Sequence, residues 1–153
     1  MFTAEDILNQ KDVRMISCTP DTLIKDALKV MVEKKIGSII VKDGDNVSGI
    51  WTERDLMRNV IDKSINLDTA LISEHMTKSI RSAPFDSSIF QLLDIFLGKR
   101  FRHLLIEKEG KFIGILSMGD VIKASLNEKT KELSELKATV SWEYYEDWKF
   151  KKK

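Results

Sequence analysis

The chain repeats itself. Gly49-Ile50-Trp51-Thr52-Glu53-Arg54-Asp55-Leu56 is echoed 65 residues later by Gly114-Ile115-Leu116-Ser117-Met118-Gly119-Asp120-Val121. A fixed period of this kind limits the possible folds more than any composition does. Carried backwards, the same offset lays Ile39-Ile40-Val41 on Leu104-Leu105-Ile106, and Ile24, Ala27, Leu28, Met31 and Val32 on Ile89, Leu92, Leu93, Phe96 and Leu97. The two prolines, Pro20 and Pro84, are 64 apart, which predicts one added residue near Phe85.

Each half has the same physical pattern. Ile24, Ala27, Leu28, Met31 and Val32 fall at i, i+3, i+4, i+7 and i+8, the stripe of an amphipathic helix. Compact apolar runs follow, IGSIIV and FRHLLI, and then turn residues, Asp43-Gly44 and Glu109-Gly110. Apolar runs on both sides of such a turn predict a hairpin. A second helix is expected after Thr52 and after Ser117, each able to act as an N-cap. Its buried face would carry Leu56, Met57, Val60 and Ile61, matched by Val121, Ile122, Ser125 and Leu126. The fold class is therefore α/β or α+β, two tandem βαββα units. A unit this small is near the limit of what folds alone, so the two are expected to share a core and to form a pseudo-twofold cleft. Asp6-Ile7-Leu8 and Ile72-Ser73-Glu74-His75-Met76 read as lead-ins to the first and second units. The boundaries drawn on this basis are 1–66, 67–126 and a C-terminal tail, 127–153.

Charge and cysteine usage exclude several classes. Of 153 residues, 25 are basic and 24 acidic, a net charge of +1, which argues against an electrostatically driven nucleic-acid binder. One cysteine, Cys18, and two histidines, His75 and His103, are too few for a disulfide framework or a structural metal site. Cys18 reads as a small buried hydrophobe and His75 as a surface residue. The opening MFTAEDILNQ has no apolar core of a secretory signal, and no apolar run spans a bilayer. A soluble cytoplasmic protein is the expectation, with neither nucleic acid nor membrane as partner. No phosphate-binding glycine loop, nucleophile elbow or metal-ligand set marks an enzyme.

The pattern small-Gly-hydrophobic-x-(Thr/Ser)-x-x-Asp carries the chemistry. A strand that ends in Thr or Ser and opens a helix offers free amides to an anion, and an Asp three residues on can accept the two hydroxyls of a ribose. The plainer alternative is that Asp55 and Asp120 only stabilise helix starts, that Arg54 is a solvated helix residue, and that His103 is a satisfied core histidine. The duplicated motif resembles that of CBS domains, the regulatory module named after cystathionine β-synthase, and the likeness covers roughly residues 5–126. The resemblance implies a disc-like tandem pair, a stand-alone regulatory module of the Bateman type, with adenosine ligands in clefts between the halves. It implies that Asp55 and Asp120 hold ribose, with Thr52 and the run Ser117-Met118-Gly119 beside ribose or phosphate. It places Arg54, Arg102 and His103 on phosphate. It also assigns Ile16-Ser17-Cys18 and Ile80-Arg81-Ser82-Ala83, with Pro84 at the end, to the adenine. Gly37, Ser38 and Ile39 match Arg102, His103 and Leu104 without their charge.

This asymmetry predicts two unequal sites. One, near Arg102 and His103, has a guanidinium able to bind phosphate in two-pronged fashion. The other, on Thr52 and Asp55, has Arg54 but faces the neutral Gly37 and Ser38, and Trp51 is expected to narrow it. Leu105 stands where such modules often carry proline. The expected function is a non-catalytic sensor of AMP, ADP or ATP that acts on an effector protein in trans, with NADH or S-adenosylmethionine as alternative ligands and an interaction protein with empty clefts as the competing class. Leu126, Leu133, Leu136 and Val140 form an apolar seam in the tail. Trp142, Tyr144, Tyr145, Trp148 and Phe150 follow it. Both features predict docking in a homodimer or on a partner.

Overall fold

A computed structural model describes residues 1–12 and 14–139; the aromatic tail residues and Val140 lie outside the described residues. The first half runs α1 (Ala4–Asn9), β1 (Ser17–Cys18), α2 (Ile24–Lys34), β2 (Ser38–Asp43), β3 (Asn46–Thr52) and α3 (Glu53–Ile61). The second runs α4 (Ile72–His75), β4 (Ser82–Pro84), α5 (Ile89–Lys99), β5 (His103–Lys108), β6 (Lys111–Ser117) and α6 (Met118–Thr139). Each half is thus a βαββα unit behind a short lead-in helix. The seam residues Leu133 and Leu136 lie on α6 itself, which continues past the body without a break.

Each sheet has three strands, β1-β2-β3 and β4-β5-β6, the first pair parallel and the second antiparallel. The two registers match residue for residue at the 65 offset. Ser17 pairs Ile40 as Ser82 pairs Leu105. The hairpins slip at Val41/Lys42 and at Ile106/Glu107. No residue is therefore added near Phe85: Pro20 stands opposite Phe85, and two prolines one position apart mimicked a shift. The first turn is Gly44-Asp45 rather than Asp43-Gly44, since Asp43 still pairs Asn46. In the second turn Glu109 and Gly110 both have positive φ, 52° and 74°, the geometry that twists correctly between antiparallel strands.

The expected shared core is instead two. Ile24, Ala27, Met31, Ile39, Val41, Trp51 and Ile72 form one; Ala4, Ile7, Leu8, Ile89, Leu92, Phe96, Leu104, Ile106, Leu116 and Val121 form most of the other. The lead-ins are exchanged between them. Ala4 and Glu5 donate backbone hydrogen bonds to Ser87 (2.8 Å) and Phe85 (2.9 Å), and Ile115 donates to Arg14 (3.0 Å). In return Ile24 donates to Ala70 (3.0 Å), and Ile50 and Thr77 exchange bonds of 2.9 and 2.8 Å. Glycine permits this crossing. A Cβ on Gly49 would stand 2.8 Å from the Thr77 carbonyl oxygen, and one on Gly114 2.7 Å from Leu8 and 3.1 Å from the Arg14 carbonyl oxygen.

The second-helix faces also differ from expectation. Val121 is buried and Leu56 half-buried, but Met57, Val60 (63% exposed), Ile61 (80% exposed), Ile122 and Leu126 lie in the open. The residues α3 turns inward are Asp55 and Asn59. Asn59 accepts a hydrogen bond from the Trp51 indole nitrogen at 3.0 Å, so polar anchors fix the helix and its apolar stripe points away. Val32 and Leu97, at the ends of the α2 and α5 stripes, are exposed as well.

Candidate functional site

The (Thr/Ser)-x-x-Asp motif folds as a capping box. The Thr52 hydroxyl accepts from the Asp55 amide while Asp55 Oδ2 accepts from the Thr52 amide (2.9 Å) and hydroxyl (3.1 Å). Ser117 and Asp120 do the same, the Asp120 carboxylate accepting from the Ser117 amide at 2.8 Å. Thr3 and Asp6 make an identical box at α1. The local pattern therefore secures a helix start wherever it occurs. What separates Asp55 and Asp120 from Asp6 is that each lines a cleft.

Two clefts open, related by the repeat. One, of about 560 Å³, combines Ser117 at the end of β6 and Asp120 and Lys123 of α6 with residues 34–38 before and at the start of β2, and with residues 10–12 and 14–16 after α1. The other, of about 660 Å³, combines Thr52, Arg54, Asp55 and Arg58 with Arg100, Phe101, Arg102 and His103, and with Thr77, Ser79, Ile80 and Arg81. Each thus joins a helix start from one half to a strand start from the other. Gly37 and His103 line both.

This crossing corrects the expected pairing. Arg102 faces Thr52, Arg54 and Asp55 in one cleft, and the neutral pair Gly37-Ser38 faces Asp120. A Cβ built on Gly37, which lines both clefts, would stand 3.2 Å from the Glu53 carboxyl carbon. Trp51 does not narrow a cleft; it is fully buried in the first core. Of the expected contacts, Ile16, Gly37, Ser38, Thr52, Arg54, Asp55, Ile80, Arg102, His103, Ser117 and Asp120 reach a cleft. Ile39, Leu104 and Ala83 are core residues, and Cys18 and Met118 pack against the cores. Ser17, Ser82, Pro84 and Gly119 are exposed and line neither cleft.

Sequence reasoning missed Lys11, Arg14, Lys34, Lys35 and Lys123 in one cleft, and Arg58 and Arg100 in the other; Arg81, expected beside the adenine, lines the second cleft too. The repeat held the signal. Lys35 and Arg100 sit at the same offset, both left-handed with φ of 54° at helix ends, and Arg58 corresponds to Lys123. All six arginines of the chain line one cleft or the other.

The two carboxylates differ. The Asp55 side chain is 8% exposed, and its Oδ1 is met only loosely, by the Thr77 hydroxyl at 3.4 Å and Arg58 at 3.6 Å. The Asp120 side chain is 27% exposed and its Oδ2 also accepts from Lys11 Nζ at 2.9 Å. Burial pulls its pKa upward, but the Ser117 amide and Lys11 outweigh that and hold it below the usual carboxylate range. Asp120 thus keeps its charge and presents an Oδ1 that accepts no hydrogen bond among the described residues.

His103 lies between the clefts. Burial lowers its pKa below the usual imidazole value, against the pull of Glu53 and Asp120 and with the push of Lys11 and Arg102. A histidine with a depressed folded pKa leaves the folded state with fewer bound protons, so stability falls as pH drops from about 6.5 toward that pKa. Melting temperatures between pH 7.5 and 5.5 are expected to decline more steeply for the wild type than for His103→Gln. Parallel curves would contradict this.

The comparisons with known proteins agree with this arrangement. The CBS domain family matches residues 4–62 and 72–127. The mitochondrial CBS domain-containing protein CBSX3 of Arabidopsis thaliana is 30% identical over 152 residues, covering 93% of this chain and 73% of that protein. The crystal structure of the CBS-domain containing protein ATU1752 from Agrobacterium tumefaciens superposes with a TM-score of 0.75 at 35% identity, covering 81% of this chain and 99% of that one. That of CBSX2 in complex with AMP superposes with a TM-score of 0.68 at 26% identity, covering 84% and 99%. Two βαββα units, two crossed clefts and a family match to each half lead to one conclusion: the chain belongs to the CBS-domain family and carries a tandem pair of CBS domains.

Proposed function

We propose that the protein is an adenine-nucleotide-responsive regulatory module that acts on a partner in trans and has no catalytic role. One observation carries this reading: each cleft sets a ribose-competent Asp at a helix start against basic side chains from the other half, and every arginine in the chain goes there. Guanidinium and ammonium groups hold phosphate; free helix amides add to them. The AMP found on CBSX2, 26% identical to this chain, supports an adenosine ligand. AMP, ADP and ATP are the first candidates, NADH and S-adenosylmethionine the alternatives. The open stripe of Met57, Val60, Ile61, Ile122 and Leu126 supports a homodimer formed through α3 and α6. Ligand shifts such an assembly only if one arrangement binds it better.

Thermal-shift screening of the five ligands tests this. A ligand at a hundred times its Kd raises stability by about 2.7 kcal/mol. Asp120→Asn keeps the cap and removes the charge, so it should weaken binding by about ten-fold or more. A second reading, an interaction protein with unused clefts, draws on the internal bonding of Asp55 and on the Thr3–Asp6 box, which caps a helix without lining either cleft. No shift with any of the five ligands would favour it.

A further inference from the structure

The two clefts are related by the repeat, yet their bases are of different kinds. At positions 65 apart, Arg58 replaces Lys123, Arg100 replaces Lys35, Arg102 replaces Gly37 and Arg81 replaces Ile16, while Arg54 stands where the other half has Gly119. Net charge does not separate the clefts, because each is lined by five Lys or Arg against two carboxylates. Pairing does. In the Asp120 cleft Lys11 is held by Asp120 at 2.9 Å, Lys34 lies 4.0 Å from Glu33 and Arg14 donates to Asn9. In the Asp55 cleft only Arg58 approaches a carboxylate, at 3.6 Å. Among the described residues, no carboxylate lies within ion-pair distance of Arg54, Arg81, Arg100 or Arg102. Arg81 rests on the Phe101 ring, 5.2 Å from its centroid, a contact that steadies a guanidinium and leaves its N–H fork free.

We propose that the Asp55 cleft takes a nucleoside polyphosphate, its arginines spread along successive phosphates, and that the Asp120 cleft takes a nucleotide with a single phosphate. This rests on the nucleotide reading above and assigns the phosphate class of each cleft. Four unpaired planar forks offer more donors than one phosphate has oxygens to accept them, and they match a chain of phosphates, each able to take a bidentate contact. A lysine cleft with part of its charge already neutralised suits a smaller anion.

The test is calorimetric titration of the full chain with AMP, ADP, ATP and inorganic tripolyphosphate. Affinity at the Asp55 cleft is expected to rise from AMP to ADP to ATP, by about ten-fold or more overall, since each charge-assisted contact is worth that order. Tripolyphosphate should compete with ATP there. The double variant Arg100→Lys, Arg102→Lys keeps both charges but loses the forks; it should weaken ATP about ten-fold, with a smaller effect on AMP. Lys35→Ala with Lys123→Ala should weaken AMP more than ATP. AMP and ATP binding the Asp55 cleft with equal affinity, or both weakened alike by the arginine variant, would overturn the assignment while leaving the nucleotide reading intact. Tripolyphosphate binding as tightly as ATP would instead sink the adenosine reading and keep the polyphosphate cleft. No binding by any of the four overturns both.

Discussion

Trp51→Ala lowers stability by about 3–5 kcal/mol, the range for removing a large aromatic ring from a packed core. Trp51 has no exposed surface and stands among Ile24, Met31, Ile39 and Ile72. Its indole N–H donates to Asn59, itself buried, so truncation also strands a buried carbonyl, at about 1–3 kcal/mol. The second half supplies the control, because Leu116 and Ala124 occupy the equivalent positions and both are buried. There the donor and its acceptor are both absent and the core is closed with apolar atoms alone. Trp51→Leu should therefore be partly rescued by Asn59→Ala, which removes the stranded group, and a denaturant double-mutant cycle would show a coupling of about 0.5–3 kcal/mol. Trp51 lines neither cleft, so nucleotide affinity measured well below the melting temperature should stay unchanged. Strict additivity of the two substitutions, or a loss under about 1 kcal/mol for Trp51→Ala, would count against this account of the first core.

The same comparison shows what the sequence made legible. Helices α2 and α5 were readable because their apolar residues keep the 3.6 period while a core covers them; Ile24, Ala27 and Met31 are buried as that period requires. Periodicity says which face of a helix is apolar and is silent on what covers it. On α3 it was misleading, since Asp55 and Asn59 turn inward and Met57, Val60 and Ile61 do not. The capping boxes were visible as residue types at a fixed spacing, but Thr3–Asp6 has the same spacing and lines neither cleft, so the motif alone could not separate a binding Asp from a structural one. That distinction comes from the crossing of the halves, which brings Arg100 and Arg102 to Thr52 and Asp55. Chain order cannot show it. The repeat could have found the missed bases, because Lys35 pairs with Arg100 and Lys123 with Arg58 at the constant offset.

The exchange of lead-ins makes the remaining large prediction a crossed one. Leu8 belongs to the first 20 residues of the chain, yet its side chain is fully buried in the second core and meets β6 at Gly114. Ile72 opens the second repeat and is fully buried in the first core. Leu8→Ala and Ile72→Ala should each cost about 2–5 kcal/mol, each in the half remote in sequence. Native-state hydrogen exchange resolves openings smaller than global unfolding. It should show protection falling first in β5 and β6 for Leu8→Ala and in β2 and β3 for Ile72→Ala. Each variant has a functional consequence at a different cleft. The segment after α1 carries Lys11, which holds Asp120, and Arg14, which walls the same cleft; loosening Leu8 frees that wall. AMP affinity at the Asp120 cleft should fall in Leu8→Ala, while ATP affinity at the Asp55 cleft, bordered by Thr77 and Ser79 behind α4, should fall in Ile72→Ala. Equal loss of protection in both sheets for either variant would mean that the halves open as one unit, and the lead-ins would then carry no separate control over the two clefts.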